Sequence, residues 1–330
     1  MASIARWAHR DLTKRARAFQ ACRRALLTST LASKDAEEPS SAQEHGSKPE
    51  IDPGAGRSDP DDSASSSSTI DFGFQHVQKD QKQNLVRQVF SSVAPSYDVM
   101  NDLMSGGLHR VWKDRLVEML APFPGSKHID VAGGTGDVAF RVLRAIQGAE
   151  DLRNATGLSQ DQKGSVTVFD INPEMLEEGK KKAKKAKDLG AHRLAWVEGS
   201  AEELPFDDNA FDSYTIAFGI RNVTNRPAAL AEAYRVLRPG GRFLCLEFSK
   251  VTVPGLQQIY DEYSFRVIPE VGKLVAGDAE SYRYLVESIR MFPGQEEFKE
   301  MIEEARFQAV GYENLTAGVV AIHSGIVGRK

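Results

Sequence analysis

The residues with the clearest chemical potential lie in the stretch DVAGGTGDVAF, from Asp130 to Phe140. Just before it, His128-Ile129-Asp130-Val131 reads as a short buried strand, and after it Val138, Val142, Leu143 and Ile146 recur at helical spacing over Asp137 to Ile146. Gly133, Gly134 and Gly136 stand between the two. Glycines permit positive φ and let a ligand approach the backbone closely. A strand, a glycine turn and a helix N-terminus in that order form a cradle for a polar ligand. The pattern alone does not name the ligand. Gly134-x-Gly136-x-x-Ala139 also fits the dinucleotide fingerprint in its Ala form, and a tight turn that binds nothing carries the same glycines.

A second acid, Asp170, ends the β-branched run SVTVFD over Ser165 to Asp170. In nucleotide-binding α/β folds an acid at that place accepts hydrogen bonds from a ribose. Further apolar runs follow. Arg193 to Glu198 is a third strand with Ser200 and Ala201 just beyond it, Phe211 to Phe218 a fourth, and Gly241 to Phe248 a fifth. Helical stretches at Pro173 to Leu189 and Ala228 to Leu237 separate them, and the lysine run from Lys180 to Lys187 reads as a solvated face. Strands alternating with helices imply a doubly wound parallel sheet, with ligands at the carboxyl ends of its strands. Residues 146–165 are polar and read as a surface insertion. It places Asp170 further from the glycines than the usual ~20 residues.

Around this sheet, Asn84 to Ala94 and Gly107 to Leu120 have helical periodicity, and Tyr97 to Trp112 is dense in Asn, Asp, His and aromatics. These added N-terminal helices are placed to cover a pocket at the mouth of the sheet. After Gln295, a helix to Arg306 leads into Tyr312 to Ala317 and Val319 to Val327, which predict a closing antiparallel hairpin.

The helix-to-strand turn RVLRPGG (235–241), the acid opening DxxGGTG and the polar-Ala-acidic step after the third strand are features of class I S-adenosylmethionine methyltransferases, a Rossmann-like fold class. A dehydrogenase has no particular need of them. Two long segments, YDVMNDLMSGGLHRVW (97–112) and RVLRPGGRFLCLEFS (235–249), resemble the signature segments of the ubiquinone/menaquinone C-methyltransferase family, the UbiE type. FGIRNVTN (218–225) resembles that family's FG-[IL]-RNV segment, and the likeness runs in order over residues 72–330.

The resemblance implies C-methylation of a polyprenyl-benzoquinol in ubiquinone synthesis, with S-adenosyl-L-methionine as cofactor. It implies that Thr135, Asp170, Ser200 and Ala201 contact the cofactor, with Asp130, Gly134 and Gly136 completing that site. It also implies other ubiquinone-biosynthesis proteins as partners and a matrix location peripheral to the inner mitochondrial membrane; a homodimer is one possible assembly, and the sequence does not give the oligomeric state. One departure stands out: Ala217 occupies a position where some members have Ser, so no hydroxyl contact is carried over there.

Methyl transfer to a ring carbon needs an electron-rich ring held in line with the sulfonium methyl, and positioning can supply up to ~7–11 kcal/mol. No metal is required. Arg221, just past the fourth strand, is placed to stabilise a quinolate, and it stays protonated, so it is a poor base. Asn222, Tyr97 and His109 are the other catalytic candidates. The alternative for Arg221 is a structural salt bridge to a nearby carboxylate. For Tyr97, Asn101 and His109 it is helix capping and core hydrogen bonding. Met100, Leu103, Val267, Ile268 and Leu274 are named by position alone for an apolar channel that takes the prenyl tail.

Composition bounds the rest. The chain has 330 residues and a formal charge of −4, which argues against a nucleic-acid binder that relies on bulk positive charge. No apolar run approaches the ~18 residues of a membrane span. Cys22 and Cys245, the two cysteines present, make neither a disulfide framework nor a zinc site. Residues 1–34 carry eight basic side chains and one acid, the composition of a mitochondrial transit peptide, with a disordered basic tail as the alternative. Removing eight positive charges and one negative from −4 leaves −11. Residues 35–71 are rich in Ser, Asp, Glu, Pro and Gly and read as a disordered linker, and residues 72–330 as the methyltransferase domain. Two other functions keep the same fold: a non-catalytic scaffold of a biosynthetic complex, and an NAD-dependent oxidoreductase. Loss of Asp170 or the glycines would mark a scaffold, and the features around residues 235–241 disfavour the oxidoreductase.

Overall fold

The computed structural model describes residues 69–93, 97–157, 163–262, 265–266 and 279–329. The expected leader, the linker up to residue 68, and Val267, Ile268 and Leu274 lie outside the described residues, as do the side chains of Met100 and Leu103.

A small antiparallel hairpin, β1 (Thr69–Phe72) and β2 (Gln75–Gln78), comes first. Helices α1 (Lys79–Val93), α2 (Tyr97–Ser105) and α3 (Leu108–Leu120) follow. The chain then alternates: β3 (Lys127–Val131), α4 (Asp137–Ala155), β4 (Ser165–Asp170), α5 (Pro173–Lys185), β5 (Leu194–Glu198), β6 (Phe211–Ala217), α6 (Arg226–Val236) and β7 (Leu237–Phe248). Three helices, α7 (Leu256–Glu262), α8 (Ala279–Met291) and α9 (Gln295–Glu304), lead to β8 (Phe307–Leu315) and β9 (Val320–Val327).

Seven strands form one sheet in the order β5-β4-β3-β6-β7-β9-β8. The first five in that order are parallel, and β9 runs antiparallel to both β7 and β8. This is the doubly wound sheet with a C-terminal antiparallel hairpin that the sequence predicts. Central strands of such a sheet are covered on both faces, which is why they read as continuous apolar runs. Alternation sends Val166, Val168, Leu244 and Leu246 to the face packed by α3, α4 and α5. Ile129, Val131, Tyr214, Ile216 and Phe243 go to the face packed by α6 and α9.

The structure corrects several boundaries. Helix α4 continues to Ala155, so the first half of the expected surface insertion after Ile146 is helix. Glu150 explains the extension: its Oε1 accepts from the amides of Gly125 and Gly164 and from Arg193 Nη2, at 3.3, 2.8 and 2.9 Å. Helix α5 stops at Lys185 rather than Leu189. Strand pairing in β7 begins at Leu237, ahead of the expected Gly241, with an irregularity opposite Phe211 to Ser213. The β1–β2 hairpin starts three residues before the expected domain boundary at Phe72, and α8 was not foreseen.

Candidate functional site

Strand order reverses about β3, which has β4 on one side and β6 on the other. A crevice at the carboxyl ends of the strands is the expected ligand site there. A cleft enclosing about 1090 Å³, solvent included, lies at that point, lined by residues after β3, β4, β5 and β6 and roofed by α1, α2 and α3.

The floor is built by the turn after β3. Ala132 and Gly134 adopt positive φ of 51° and 50°. A Cβ on Gly133 would lie 2.8 Å from Val168 Cγ1 and 2.9 Å from the Asp130 carbonyl, so only glycine fits. Gly134 donates its amide to Asp170 Oδ2 at 2.8 Å, and Asn172 donates its own to Asp170 Oδ1 at 2.8 Å. The Asp170 carboxylate thereby joins the ends of two adjacent strands. Burial raises its carboxyl to about 6, against the pull of those amides.

Asp130 is 1% exposed, and burial raises its carboxyl to about 7. Its Oδ2 accepts from the Ala139 amide in the first turn of α4, at 3.1 Å, and its Oδ1 from the Thr215 hydroxyl at 2.7 Å. His128 Nε2 stands 2.9 Å from that hydroxyl, and His128 Nδ1 2.8 Å from Ser213 Oγ. The Thr215 proton is committed to Asp130, so His128 donates from Nε2 and accepts at Nδ1. Burial holds this imidazole at about 3, hence neutral.

The far wall is the segment after β6. Phe218 has a positive φ of 58°, uncommon for a non-glycine residue and concentrated at functional sites. Gly219 is obligatory, because a Cβ there would lie 2.3 Å from Ala132 Cβ. Asn222 faces the cleft from the short 3₁₀ turn Ile220–Asn222, and its Oδ1 accepts from Tyr284 OH at 3.0 Å. Ala217 lines the cleft and brings no hydroxyl.

Of the residues singled out above, Tyr97, Asp130, Gly134, Thr135, Asp170, Ser200, Ala201 and Asn222 line the cleft. Gly136, with φ 82°, sits just beneath it as the N-cap of α4. Arg221 and His109 are not brought to it. Arg221 is 5% exposed, and its Nη1 donates to Glu247 Oε1 at 2.9 Å and to the Phe218 carbonyl at 2.5 Å. This is the salt-bridge alternative, and it leaves the guanidinium behind the wall rather than in the cleft. His109 is also buried, its Nε2 2.8 Å from Asp102 Oδ1, where it ties α3 to α2. Burial lowers its pKa, against the pull of the Asp102 hydrogen bond.

Several lining residues escaped the sequence reading: Gln83, Val86, Arg87 and Phe90 on α1, Lys113 on α3, and Asn172 before α5. Asn172 was findable. The step Asp170-x-Asn172-Pro173 carries an N-cap signal, and Asn172 Oδ1 accepts from the Met175 amide at 3.0 Å.

The profile of the ubiE/COQ5 methyltransferase family matches residues 75–327. The chain belongs to the ubiE/COQ5 methyltransferase family. It is 59% identical over 256 residues to the "2-methoxy-6-polyprenyl-1,4-benzoquinol methylase, mitochondrial" of Oryza sativa subsp. japonica, covering 77% of this chain and 87% of that one. The Homo sapiens protein of the same name is 57% identical over 273 residues, covering 77% and 83%. The "Ubiquinone/menaquinone biosynthesis C-methyltransferase UbiE" of Brucella abortus (strain S19) is 56% identical over 256 residues, covering 77% and 89%. As a member of the ubiE/COQ5 family the chain is a methyltransferase, with S-adenosylmethionine as its cofactor. The site fits that group: the glycine turn admits close backbone approach, and a buried carboxylate already oriented by two amides stands at the strand end where a ribose diol is held.

Proposed function

We propose that this protein methylates a ring carbon of 2-methoxy-6-polyprenyl-1,4-benzoquinol in ubiquinone synthesis. The observation that carries the reading is 59% identity to a relative named for that reaction, across most of both chains. When bound, the cofactor supplies a methyl group on a sulfonium.

The residues divide the remaining work. Asp170 accepts the ribose hydroxyls, while Ser200 and Ala201 border the base and Gly134 and Thr135 the centre of the cofactor. Tyr284 OH occupies the Asn222 amide oxygen, and burial pushes that phenol up to about 12, so it stays a donor. The Asn222 NH₂ is therefore the end left to face the ring, where it donates to a quinol oxygen as that oxygen loses its proton. Tyr97 closes the cleft from α2. Arg221 acts at one remove, by holding the Phe218 carbonyl and with it the wall from Phe218 to Asn222.

The polyprenyl tail of this substrate belongs in lipid. We read the protein as docking on the matrix face of the inner mitochondrial membrane, as a homodimer, beside other enzymes of the pathway. Two exposed stacked rings, Phe74 and Phe265, support a lipid-facing side, and among the described residues no helix is long and apolar enough to cross a membrane. The basic leader and the relatives' mitochondrial name support import.

Incubating purified protein with S-adenosylmethionine and a short-chain quinol tests the activity, and mass spectrometry of the quinol is expected to show one added methyl group. Intact cofactor binding with no methylated quinol would instead favour the scaffold. A reporter fused to residues 1–70 is expected to accumulate in mitochondria, and a cytosolic signal would remove the transit peptide.

A further inference from the structure

Helix α1 has a second cavity on another of its faces. That cavity encloses about 980 Å³, solvent included, between the β1–β2 hairpin, α1 and α8. Helical spacing lets one helix serve both spaces: Val86 and Phe90 line the cleft, while Leu85 and Val89 line the second cavity. The floor of this cavity is apolar and its mouth polar. Phe72, Leu85 and Val89 are half-buried and Tyr284 is 7% exposed, whereas the lining glutamines, Glu280 and Arg283 are exposed. The Phe72 and Tyr284 rings stack with centroids 4.2 Å apart. Glu287, also on the lining, accepts from the Phe74 amide at 3.1 Å and so fastens the hairpin to α8.

The cavity adjoins the cleft through one residue. Tyr284 lines the cavity and donates its hydroxyl to Asn222 Oδ1 at 3.0 Å, and Asn222 lines the cleft. A quinol ring held against Asn222 thus lies one tyrosine side chain away from the cavity. The hairpin that walls the cavity also carries the exposed Phe74, whose ring stacks on Phe265. An apolar floor therefore begins beside the place of the ring and is bounded by the segment that bears the exposed aromatic pair.

We infer that this cavity takes the isoprene units of the substrate's tail that lie nearest the ring, and that the remainder of the tail leaves past Phe74 into lipid. The inference rests on the proposed reading that the substrate is a polyprenyl quinol. An isoprenoid chain is a branched hydrocarbon with no polar atom, so it matches the floor and leaves the exposed charges at the mouth hydrated. Each unit seated there removes its own apolar surface from water together with that of Phe72, Leu85 and Val89. A tail held by lipid alone, with the cavity filled by water, predicts a different outcome.

Single-turnover methylation of two quinols, one without a tail and one with a geranyl chain, separates the two when no lipid or detergent is present. The unaltered protein is expected to half-saturate with the geranyl quinol at a concentration roughly ten- to a hundredfold lower, the worth of about two to three buried methylene groups. Leu85→Trp fills the cavity from α1 and should shrink that preference about tenfold. Val89→Gln makes the floor polar without filling it, should act in the same direction, and stands in for the Trp variant should that one not fold. The preference is read as a ratio in folded protein, with S-adenosylhomocysteine affinity measured alongside. A geranyl quinol bearing a diazirine at its far end is expected to label peptides of the β1–β2 hairpin or α8 on irradiation. No preference in the unaltered protein, a preference that both variants keep, or labelling confined to other peptides overturns the tail site. If the unaltered protein binds S-adenosylhomocysteine and methylates neither quinol, the substrate reading itself falls, and the tail site with it.

Discussion

Arg221 and Glu247 meet at 2.9 Å with both side chains nearly sealed from water, at 5% and 1% exposure. The pair joins the 3₁₀ turn after β6 to the end of β7. It is reinforced by the Arg221 amide donating to Glu247 Oε2 at 3.4 Å and by Arg221 Nε donating to Ser288 Oγ at 3.3 Å. A guanidinium so fully engaged shapes the cleft wall and does not enter it.

Arg221→Lys keeps the charge and loses the planar fork. It cannot reach Glu247, the Phe218 carbonyl and Ser288 together, and the expected loss is roughly 1–3 kcal/mol of stability. Arg221→Met strands the Glu247 carboxylate and is expected to cost roughly 3–5 kcal/mol. Denaturant melts measure both, and single-turnover rates per folded molecule should stay near wild type in the Lys variant. A Lys variant with an unchanged melt and a much slower methyl transfer would put Arg221 back at the reacting centre.

How far the sequence reached is visible in this pair. Asp130, Asp170 and the glycines were legible because strand-end acids and a turn with positive φ are local features, set within a few residues. The partner of Arg221 was not. Glu247 lies 26 residues on, in the apolar run GRFLCLEF, and its pairing depends on β6 and β7 becoming neighbours. The same holds for Lys113, whose partner Asp137 belongs to the next helix, and for Glu150, whose three contacts turned an expected loop into helix. The β1–β2 hairpin escaped because four-residue strands such as QHVQ carry almost no hydrophobic alternation.

Asp170→Asn is expected to weaken cofactor binding by about 1.5–3 kcal/mol, the worth of a hydrogen bond to a charged group. The amide substitutes one acceptor oxygen with a donor, so it also opposes either the Gly134 or the Asn172 amide and should lower the melting temperature. Titration with S-adenosylhomocysteine reads the first effect and a thermal scan the second. A folded variant with an unchanged dissociation constant would remove Asp170 from the ribose.

Lys82, on α1, is 3% exposed, and among the described residues no hydrogen bond or ion pair is seen for it. Burial, with Arg226 adding to it, lowers its ammonium to about 8, against the weaker pull of Asp71 and Glu202. A lysine lowered in the folded state costs stability wherever it must be charged. That cost is complete below about 8 and fades as pH rises toward the unfolded value of 10.5. Lys82→Met should therefore be more stable than wild type at neutral pH, by roughly 1–3 kcal/mol. The advantage should shrink in melts repeated near pH 10. A Met variant less stable than wild type at neutral pH would mean that the ammonium has a strong partner in the folded protein.

The Asp130 carboxyl gives the cofactor site a pH dependence of its own. Its folded value of about 7 lies above the ordinary 3.8, so the folded protein holds a proton that the unfolded chain has released between those values. By linkage, its contribution to stability falls as pH rises through that interval, and the cost is complete above about 7. Cofactor binding runs the other way. A sulfonium bound in the cleft that Asp130 lines would favour the ionised carboxylate, so binding would release this proton and tighten as pH rises through 7. Between pH 6 and 8 the expected gain in affinity is up to about tenfold. S-adenosylhomocysteine, with an uncharged sulfur, should show a smaller pH effect than S-adenosylmethionine. Asp170, raised to about 6, adds its own step at lower pH, and Asp130→Asn separates the two because it removes only the upper one. Calorimetry in buffers of different ionisation enthalpy counts the proton released. If both ligands show the same pH dependence, or if the Asn variant keeps the step near 7, the sulfonium does not sense Asp130.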